Sequence, residues 1–346
     1  MRSSTGFGMS EQLKNEAHLL PTPLRRIMPA SIRKAVGTIV SKSVMLYRDS
    51  VSVRKTVRSA TPIAVKKALT FGFRRPTVCA VFAGRDDNFV PDNVERIRAV
   101  IEWNSKVLCD EVIFVEWNPL PDRPLLSPAL TKDYPNLRCY VVPKEIHEEI
   151  CTNPRMPVME YFAKNVGIRR AQSDFICATN SDILWDWNVR HMRWLLDKRL
   201  VFATRRKELS WDGSAPSQEY LRDPRNVIEY RFGWRQDLAY GSGDFTMAHK
   251  SLWQRARGYD ESMKNERISC DGRGLFQLLE VGGKQIHMGF HYHLFHPTTS
   301  SASGNISHGQ IFEYSRNLPY QNPPDWGLGD CAEELIAERV WKLARR

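Results

Sequence analysis

The side chains best suited to chemistry follow a short apolar run in the middle of the sequence. Residues 175–179 (FICAT) have the length and composition of a buried strand, and Asn180, Ser181 and Asp182 come directly after it. In open α/β sheets, ligands bind outside the carboxyl ends of the strands. A carboxylate and an amide at that position offer oxygen ligands to a hard divalent cation, which shares the phosphate oxygens of a substrate. A buried strand that ends in a polar turn is the simpler interpretation, and the motif alone leaves it open.

Histidines form a second group of candidate ligands nearer the end of the sequence. His287, His291, His293 and His296 lie within ten residues. Because side chains alternate along a strand, His291 and His293 share one face, and His296 follows near the strand exit, before Pro297. Most strand histidines serve packing, and a zinc site is the rival chemical interpretation. The cluster has neither an H-E-x-x-H helix nor cysteines at ligand spacing, which ranks zinc hydrolysis lower.

These side chains need a scaffold, and the surrounding apolar runs predict one. Runs rich in β-branched residues alternate with segments of helical periodicity. Strands are predicted at 78–83, 111–116, 136–142, 175–179, 201–204, 241–249 (a turn and strand) and 284–288. Helices are predicted at 91–106, 158–172, 186–198, 251–257, 271–281 and, amphipathic and packing across the back, at 331–346. The alternation predicts an α/β fold with a doubly wound, mostly parallel sheet flanked by helices.

From Thr77 to Pro297 the sequence resembles GT-A fold glycosyltransferases, most closely the family-two-like and galactosyltransferase-like members. Five landmarks carry the resemblance by their order. They are the first strand and its loop, an acidic residue after the second strand, the N-x-G-x-x-x-A helix at 165–171, the N-x-D turn at 180–182, and a Gly-Asp strand followed by an Asp and a His. The sequence departs from the family at Asn180, which stands where the first Asp of the metal turn usually lies.

The resemblance implies a nucleotide-sugar donor and a divalent cation, Mn²⁺ or Mg²⁺. Asp182 is the implied metal ligand, His296 the best match for the last ligand and His293 the second choice. Asn180 contributes only a neutral oxygen, directly or through water, which makes metal dependence less certain. The residues implied to contact the donor nucleotide or its phosphates are Ala83, Arg85, Glu116, Lys164, Asn165, Asn180 and Ser181.

The resemblance also implies the catalytic carboxylates. Asp271, at a predicted helix start, matches the acidic residue that deprotonates the acceptor hydroxyl in inverting members. An Asp at a helix start also caps backbone amides, and both interpretations stay open. Asp244 is expected near the donor sugar or the acceptor, with Gly241 and Gly243 allowing close backbone approach. Aromatic residues that border this region, and that stack on sugars or pack in the core, are Trp211, Tyr230, Trp234 and Tyr240.

The net charge of +11 is concentrated at the N-terminus. Residues 1–75 hold 15 basic and 3 acidic residues, whereas the remaining 271 residues hold 35 basic and 36 acidic ones. A nucleic-acid partner for the body of the protein is therefore not indicated. The basic, partly helical extension is consistent with peripheral contact with an anionic membrane, with packing on the catalytic body, or with a transit peptide.

Three segments are predicted: the extension at 1–75, a GT-A domain at 76–300, and a C-terminal loop and packing helix at 301–346. Uninterrupted apolar runs of about 18 residues, which mark membrane spans, are absent from the sequence. The N-terminus also lacks the apolar core of a secretory signal. With seven widely spaced cysteines, these features predict a cytoplasmic protein with reduced thiols, peripheral membrane contact remaining open.

The sequence thus predicts metal-assisted transfer of a sugar from a nucleotide-diphosphate donor, preferably UDP-linked, to a hydroxyl of a glycan or lipid-linked acceptor, with inversion. Retention stays open, because stereochemistry does not follow from the fold. A nucleotidyltransferase is one rival, but it would carry a Gly-rich phosphate loop with Arg or Lys after the first strand, whereas Gly84-Arg85-Asp86-Asp87 has one glycine and two acidic residues. A non-catalytic sugar-nucleotide-binding protein is the other, because of Asn180.

Overall fold

The computed structural model describes residues 75–87, 90, 92–231, 243–264, 270–296 and 321–346. The basic extension and its expected membrane contact lie outside the described residues, as do Trp234, Tyr240 and Gly241, and the side chain of Tyr230. The described residues belong to one compact unit, 59–346. Among the described helices, none has both the length and the apolar character needed to cross a bilayer.

Within the described residues, eleven strands form one sheet, and helices cover its faces. The strands are β1 Val78–Gly84, β2 Glu111–Trp117, β3 Leu137–Val142, β4 Phe175–Thr179, β5 Ile183–Trp185, β6 Leu200–Leu209, β7 Val227–Arg231, β8 Phe245–His249, β9 Lys284–Leu294, β10 Ala332–Ala337 and β11 Val340–Ala344. The α-helices are α1 Asn93–Val107, α2 Leu126–Asp133, α3 Lys144–Ile150, α4 Glu160–Arg170, α5 Gln218–Arg222, α6 Lys250–Ala256 and α7 Cys270–Glu280. Two 3₁₀ helices span Trp187–Leu195 and Glu261–Met263.

The strand order is β10-β11-β3-β2-β1-β4-β8-β6-β9-β5, and β7 pairs with β6 off this path. From β11 to β4 the neighbouring strands are parallel. Strand β8 then runs antiparallel to both β4 and β6, and β6 pairs parallel with β9. The predicted α/β fold with helices flanking the sheet is confirmed, and its parallel half carries β1 to β4. The other half mixes the two strand directions.

The central strands are buried on both faces. In β1, Val78, Ala80 and Phe82 face one hydrophobic cluster, and Cys79 and Val81 face the other. A strand covered on both sides has no solvent face, so its sequence is a continuous apolar run. This is why the strand segments were recognisable from the sequence without polar alternation.

Helix α4 packs unusually close to the sheet because of Gly167. A Cβ atom at this position would lie 2.4 Å from Cγ1 of Val81 and 3.2 Å from Cγ2 of Ile113. Only a glycine leaves room for this separation, since interiors are packed without spare volume. The close contact fixes the height of α4 above β1 and β2, and with it the position of Lys164.

The prediction of a C-terminal helix at 331–346 was wrong. The segment forms the antiparallel hairpin β10–β11, and β11 pairs parallel with β3. Val340 and Leu343 are buried against the sheet, and Arg339 takes a left-handed φ of 60° in the connecting turn. Partners on β3 satisfy the backbone groups of β11, so tertiary pairing overrides the helical propensity of the Ala- and Glu-rich β10.

The helix predicted at 186–198 is a 3₁₀ helix over Trp187–Leu195. The Asp186 side chain caps it by accepting from the backbone N–H of Asn188. Inside the segment, Arg193 is buried and donates to the backbone carbonyls of Pro76 and Leu108. These long-range hydrogen bonds hold the segment against the chain just before β1 and just after α1. They favour the 3₁₀ geometry over a regular α-helix here.

Candidate active site

Asp182, His293 and His296 lie together at the end of β4. The turn after β4 leads into β5, whose Ile183 pairs with His293 of β9. The Oδ2 atom of Asp182 is 3.2 Å from Nε2 of His293 and 3.0 Å from Nε2 of His296. One possible ligand atom from each residue lies within 4.8 Å of the others. The strand pairing therefore gathers one carboxylate and two imidazoles from segments more than 100 residues apart.

The donor set fits a divalent cation. The Oδ1 atom of Asp182 is buried, and it has no hydrogen-bond partner among the described residues. An unsatisfied buried carboxylate oxygen is costly, and a bound cation would satisfy it. Two imidazoles and one carboxylate are ligands that divalent transition metals accept. Zn²⁺ accepts the same set of atoms.

Electrostatics hold Asp182 in its ionised form. Burial alone would raise the pKa of this carboxyl group, but the imidazoles of His293 and His296 hold it well below its usual value. Conversely, burial alone would lower the pKa of His293, and the Asp182 and Glu208 carboxylates raise it to about 9. The charges on the two partners therefore stabilise each other when no cation is bound.

A second buried cluster lies beside the first and centres on Asp244. Its Oδ2 atom accepts from Nη1 of Arg206 at 3.1 Å and from Nε2 of His291 at 3.2 Å. The hydroxyl of Thr204 lies 2.7 Å from the other ring nitrogen of His291. Burial would raise the pKa of Asp244, but Arg206 and His291 lower it strongly. Asp244, which was predicted to be catalytic, thus accepts from two buried donors, Arg206 and His291.

Asn180 joins this cluster to Lys164. Its Oδ1 atom accepts from the Lys164 ammonium at 2.6 Å, and its Nδ2 donates to Oδ1 of Asp244 at 3.1 Å. Lys164 is fully buried and also donates to Glu160 and to the carbonyl of Gly243. The Asn180 oxygen, expected to contribute to the metal site directly or through water, thus accepts a hydrogen bond from Lys164. The ammonium of Lys164, which was predicted to approach the nucleotide or its phosphates, donates to these three acceptors.

Asp271 lies on the other side of Gly243. It is in the first turn of α7, and its Oδ2 atom accepts from the backbone N–H of Gly243 at 3.1 Å. A Cβ atom on Gly243 would lie 3.2 Å from that same oxygen. The two residues predicted to be catalytic therefore lie on either side of Gly243: Asp244 follows it in the sequence, and Asp271 accepts from its backbone N–H.

Two residues predicted to contact the nucleotide are engaged elsewhere. Glu116 is 1% exposed, and its carboxylate accepts from the backbone N–H groups of Leu126 and Ser127 at the start of α2. Asn165 is fully buried, donates to the Tyr259 carbonyl and accepts from the Tyr259 N–H. Both side chains thus bind backbone groups that have no partner in a helix or strand. This geometry does not support contact of either residue with a donor nucleotide.

The remaining nucleotide candidates lie around the carboxyl ends of β1 and β4. Ala83 pairs with Val115 in the sheet, just before the end of β1. Arg85 follows β1, where it donates to Asp87 at 2.9 Å and to the carbonyl of Asn118 at 2.8 Å. Ser181 lies in the turn between Asn180 and Asp182. These positions meet at the edge of the sheet where ligands of α/β folds bind.

Sequence reasoning missed Glu208 and Arg206. The strand was predicted to end at Thr204, but β6 continues to Leu209. In the parallel register, Arg206 lies opposite His291 and Glu208 opposite His293. The signal was present in the alternation of Arg206 and Glu208, which matches the alternation of His291 and His293 on a facing strand.

Arg96 was also missed, and it orders the segment before His296. Its Nη1 atom donates to the carbonyl of Leu294 at 2.6 Å, and its Nη2 atom to that of Phe295 at 3.3 Å. The guanidinium lies 5.0 Å from the centre of the Trp211 ring. Helix α1 thus holds the chain just beyond β9, where His296 approaches Asp182, and Trp211 packs against this arginine.

No protein-family model matches the chain, and no curated protein matches it. The structure is similar to a mannosyltransferase of Pyrobaculum calidifontis solved with GDP-Man and Mn²⁺, at 13% identity and a TM-score of 0.44 over 80% of this chain and 78% of that one. It is also similar to GalNAc-T7 solved with UDP, GalNAc and Mn²⁺, at 11% identity and a TM-score of 0.40 over 64% of this chain and 43% of that one. S. aureus TarS is 12% identical with a TM-score of 0.41, over 63% of this chain and 37% of that one.

These similarities concern the course of the chain. The described chain spans less than half of GalNAc-T7 and of TarS. At the level of fold, the described chain resembles GT-A-type glycosyltransferases.

Proposed function

We propose that the protein is a metal-assisted glycosyltransferase that uses a nucleotide-diphosphate sugar. The donor diphosphate would bind at the carboxyl end of β4, with the cation held by Asp182, His293 and His296. A UDP-linked donor, a glycan or lipid-linked hydroxyl acceptor and inversion at the sugar complete the proposal. When bound, the cation supplies charge neutralisation to the departing diphosphate.

One observation carries this proposal: the buried Oδ1 atom of Asp182 has no partner in the described chain, and two imidazoles lie beside the same carboxylate. A purely structural aspartate in this position would be satisfied by backbone or side-chain donors. Its place at the carboxyl end of a parallel strand supports a phosphate-bearing ligand over a buried structural ion.

Within the proposal, the chain has separate tasks for its carboxylates. Asp271 is the proposed base, because it lies in the first turn of α7 and accepts from the backbone N–H of Gly243, the residue before Asp244. Its carboxylate would take the proton of the acceptor hydroxyl as the new glycosidic bond forms. Asp244 would keep Asn180 and Arg206 in place, which fixes the turn that ends at Asp182.

Asn180 supports this proposal over a non-catalytic binding protein. An aspartate at position 180 would place a second carboxylate about 3 Å from Asp244, where like charges repel. The departure from the Asp-x-Asp pattern thus has a local electrostatic reason that leaves Asp182 and its two imidazoles in place. A nucleotidyltransferase stays the rival enzyme. In the described part of the loop after β1, residues 85–87, Arg85 pairs with Asp87 and Asp86 pairs with Arg123, so both guanidinium groups already contact carboxylates.

Donor hydrolysis tests the proposal. Purified full-length protein is incubated with UDP-, GDP- and other nucleotide sugars, with Mn²⁺, Mg²⁺ or Zn²⁺ added after chelation, and release of the nucleotide diphosphate is measured. We expect release that depends on Mn²⁺ and falls by at least about a hundredfold in Asp182→Ala, since a metal ligand is lost.

The exposed Asp122 provides a matched control. Asp122→Ala removes an acidic side chain of the same type, and it should release nucleotide at the wild-type rate. Equal activity of the Asp182 and Asp122 variants would refute the assignment of Asp182. Release of a nucleoside monophosphate with pyrophosphate would favour the nucleotidyltransferase, and sugar-nucleotide binding without turnover of any donor would favour the binding protein.

A further inference from the structure

The imidazole of His293 is held from behind by Glu208. Glu208 is 0% exposed, and its Oε2 atom lies 2.6 Å from Nδ1 of His293. Its other oxygen, Oε1, accepts from Nε of Arg206 at 2.8 Å. The two oxygens of one carboxylate therefore serve two different donors. The opposite ring nitrogen of His293, Nε2, is the atom that lies 3.2 Å from Asp182.

The chemistry of the partners decides which nitrogen of His293 carries a proton toward Glu208. An ionised carboxylate is an acceptor only, so Nδ1 must be the donor. When the ring gives up its second proton to bind a metal, the Nδ1 proton stays with Glu208 and the lone pair of Nε2 faces the metal. His291 lies two residues before His293 on β9, and its ring is turned the other way. Its Nε2 donates to the carboxylate of Asp244, and its Nδ1 faces the Thr204 hydroxyl.

We propose that Glu208 is a positioning residue for the divalent cation: by accepting from Nδ1, it fixes the orientation and tautomer that turn Nε2 of His293 toward the Asp182 site. The inference rests on the proposed metal site and assigns a specific task to a buried carboxylate on a neighbouring strand. Partners behind metal-binding histidines usually raise ligand basicity and fix the ring.

Glu208→Gln gives a sharp test because it changes the number of acceptors without changing the shape. Glutamine has one acceptor oxygen for two donors, the Nε–H of Arg206 and the Nδ1–H of His293. Arginine can only donate, so it retains the oxygen. The amide nitrogen then faces Nδ1, which must become an acceptor and leave the proton on Nε2, the nitrogen meant for the metal.

The experiment measures Mn²⁺ binding to the full-length protein by electron paramagnetic resonance and calorimetry, without donor or acceptor. The proteins compared are wild type, Glu208→Gln, Arg206→Met, and the double variant. We expect Glu208→Gln to bind Mn²⁺ about 10–100-fold more weakly than wild type. In the Arg206→Met background the Nε–H of Arg206 no longer competes with His293 for the glutamine oxygen, so the same substitution should weaken binding far less.

The outcomes separate this inference from the proposed function. Equal Mn²⁺ affinity of wild type and Glu208→Gln overturns the role of Glu208 while the metal site stands. An equal loss in both backgrounds also overturns it, because Glu208 then acts through its charge alone. Absence of Mn²⁺ binding to the wild type overturns the inference together with the metal site.

A shorter carboxylate keeps the test valid if circular dichroism shows that Glu208→Gln does not fold. Glu208→Asp retains the negative charge beside Arg206. Because its side chain is shorter by one methylene, its carboxylate lies farther from Nδ1 of His293. We expect weaker Mn²⁺ binding by Glu208→Asp than by wild type. Unchanged affinity in this folded variant would overturn the proposal.

Discussion

The Asn180 amide donates to the Asp244 carboxylate across 3.1 Å. On its other side, the Asn180 oxygen accepts from the buried ammonium of Lys164 at 2.6 Å. The amide is the one side chain of this shape that presents a donor to Asp244 and an acceptor to Lys164 at once. This contact ties the turn after β4 to β8 and makes the identity of residue 180 depend on residue 244.

Asn180→Asp should therefore destabilise the fold. A second carboxylate beside Asp244 replaces an attraction with a repulsion between buried like charges, so we expect a loss of about 1–3 kcal/mol in the free energy of unfolding. Urea denaturation at pH 7 measures the loss.

The exchange variant Asn180→Asp/Asp244→Asn provides the control, since it restores one amide and one carboxylate across the same contact. The free energy of unfolding lost in the double variant should be smaller, by at least about 0.5 kcal/mol, than the sum of the losses in the two single variants. Strict additivity of the two substitutions would show that the side chains do not interact.

Lys164→Met should be strongly destabilising. The substitution removes the ammonium that Glu160, Asn180 and the Gly243 carbonyl share, and it leaves buried acceptors unsatisfied at a cost of about 3 kcal/mol or more. Thermal and urea denaturation measure the effect.

Lys106→Met is the matched comparison. Lys106 pairs with Glu102 one turn earlier on α1, and its side chain is 58% exposed. Exposed pairs of this kind contribute little, so the change should stay within about 0.5 kcal/mol. Similar losses in the Lys106 and Lys164 variants would contradict the buried network.

Acid should weaken the fold through Asp244. Burial opposes ionisation, but Arg206 and His291 lower the pKa of this carboxyl group far below its ordinary value, so the folded protein stays ionised where the unfolded chain takes up a proton. The contribution is fully present above the unfolded pKa of about 3.9 and is lost as the pH falls below it.

The measurement is the free energy of unfolding at pH 5 and pH 3 for wild type and Asp244→Asn. The stability difference between them should be about 1 kcal/mol smaller at pH 3 than at pH 5. A difference that does not change with pH would show that Asp244 is not held ionised by its neighbours.

Strand β4 and the shared face of His291 and His293 were predictable from the sequence, because each depends on a pattern of neighbouring residues. The buried strand before Asn180 was visible as a continuous apolar run, and both faces of β4 are indeed covered. The grouping of His291 and His293 followed from strand periodicity, and both rings point to carboxylates across the same sheet face.

The rest depended on contacts that no local pattern encodes. The acidic residue Glu116 matched a family landmark, yet its carboxylate caps α2, because the unpaired amides of that helix start lie beside the end of β2. Residues 331–346 have helical propensity, but β11 pairs with β3 and this segment forms strands. Glu208 went unnoticed since its partner, His293, is 85 residues away in the sequence.

The most direct test of the central claim is a crystal structure of the protein soaked with Mn²⁺ and a nucleoside diphosphate, with anomalous data collected at the manganese edge. We expect an anomalous peak bonded to a carboxylate oxygen of Asp182 and to Nε2 of His293 and His296, with the diphosphate completing the coordination. A fully ordered site without such a peak, or a manganese ion bound to the diphosphate away from Asp182, would contradict it.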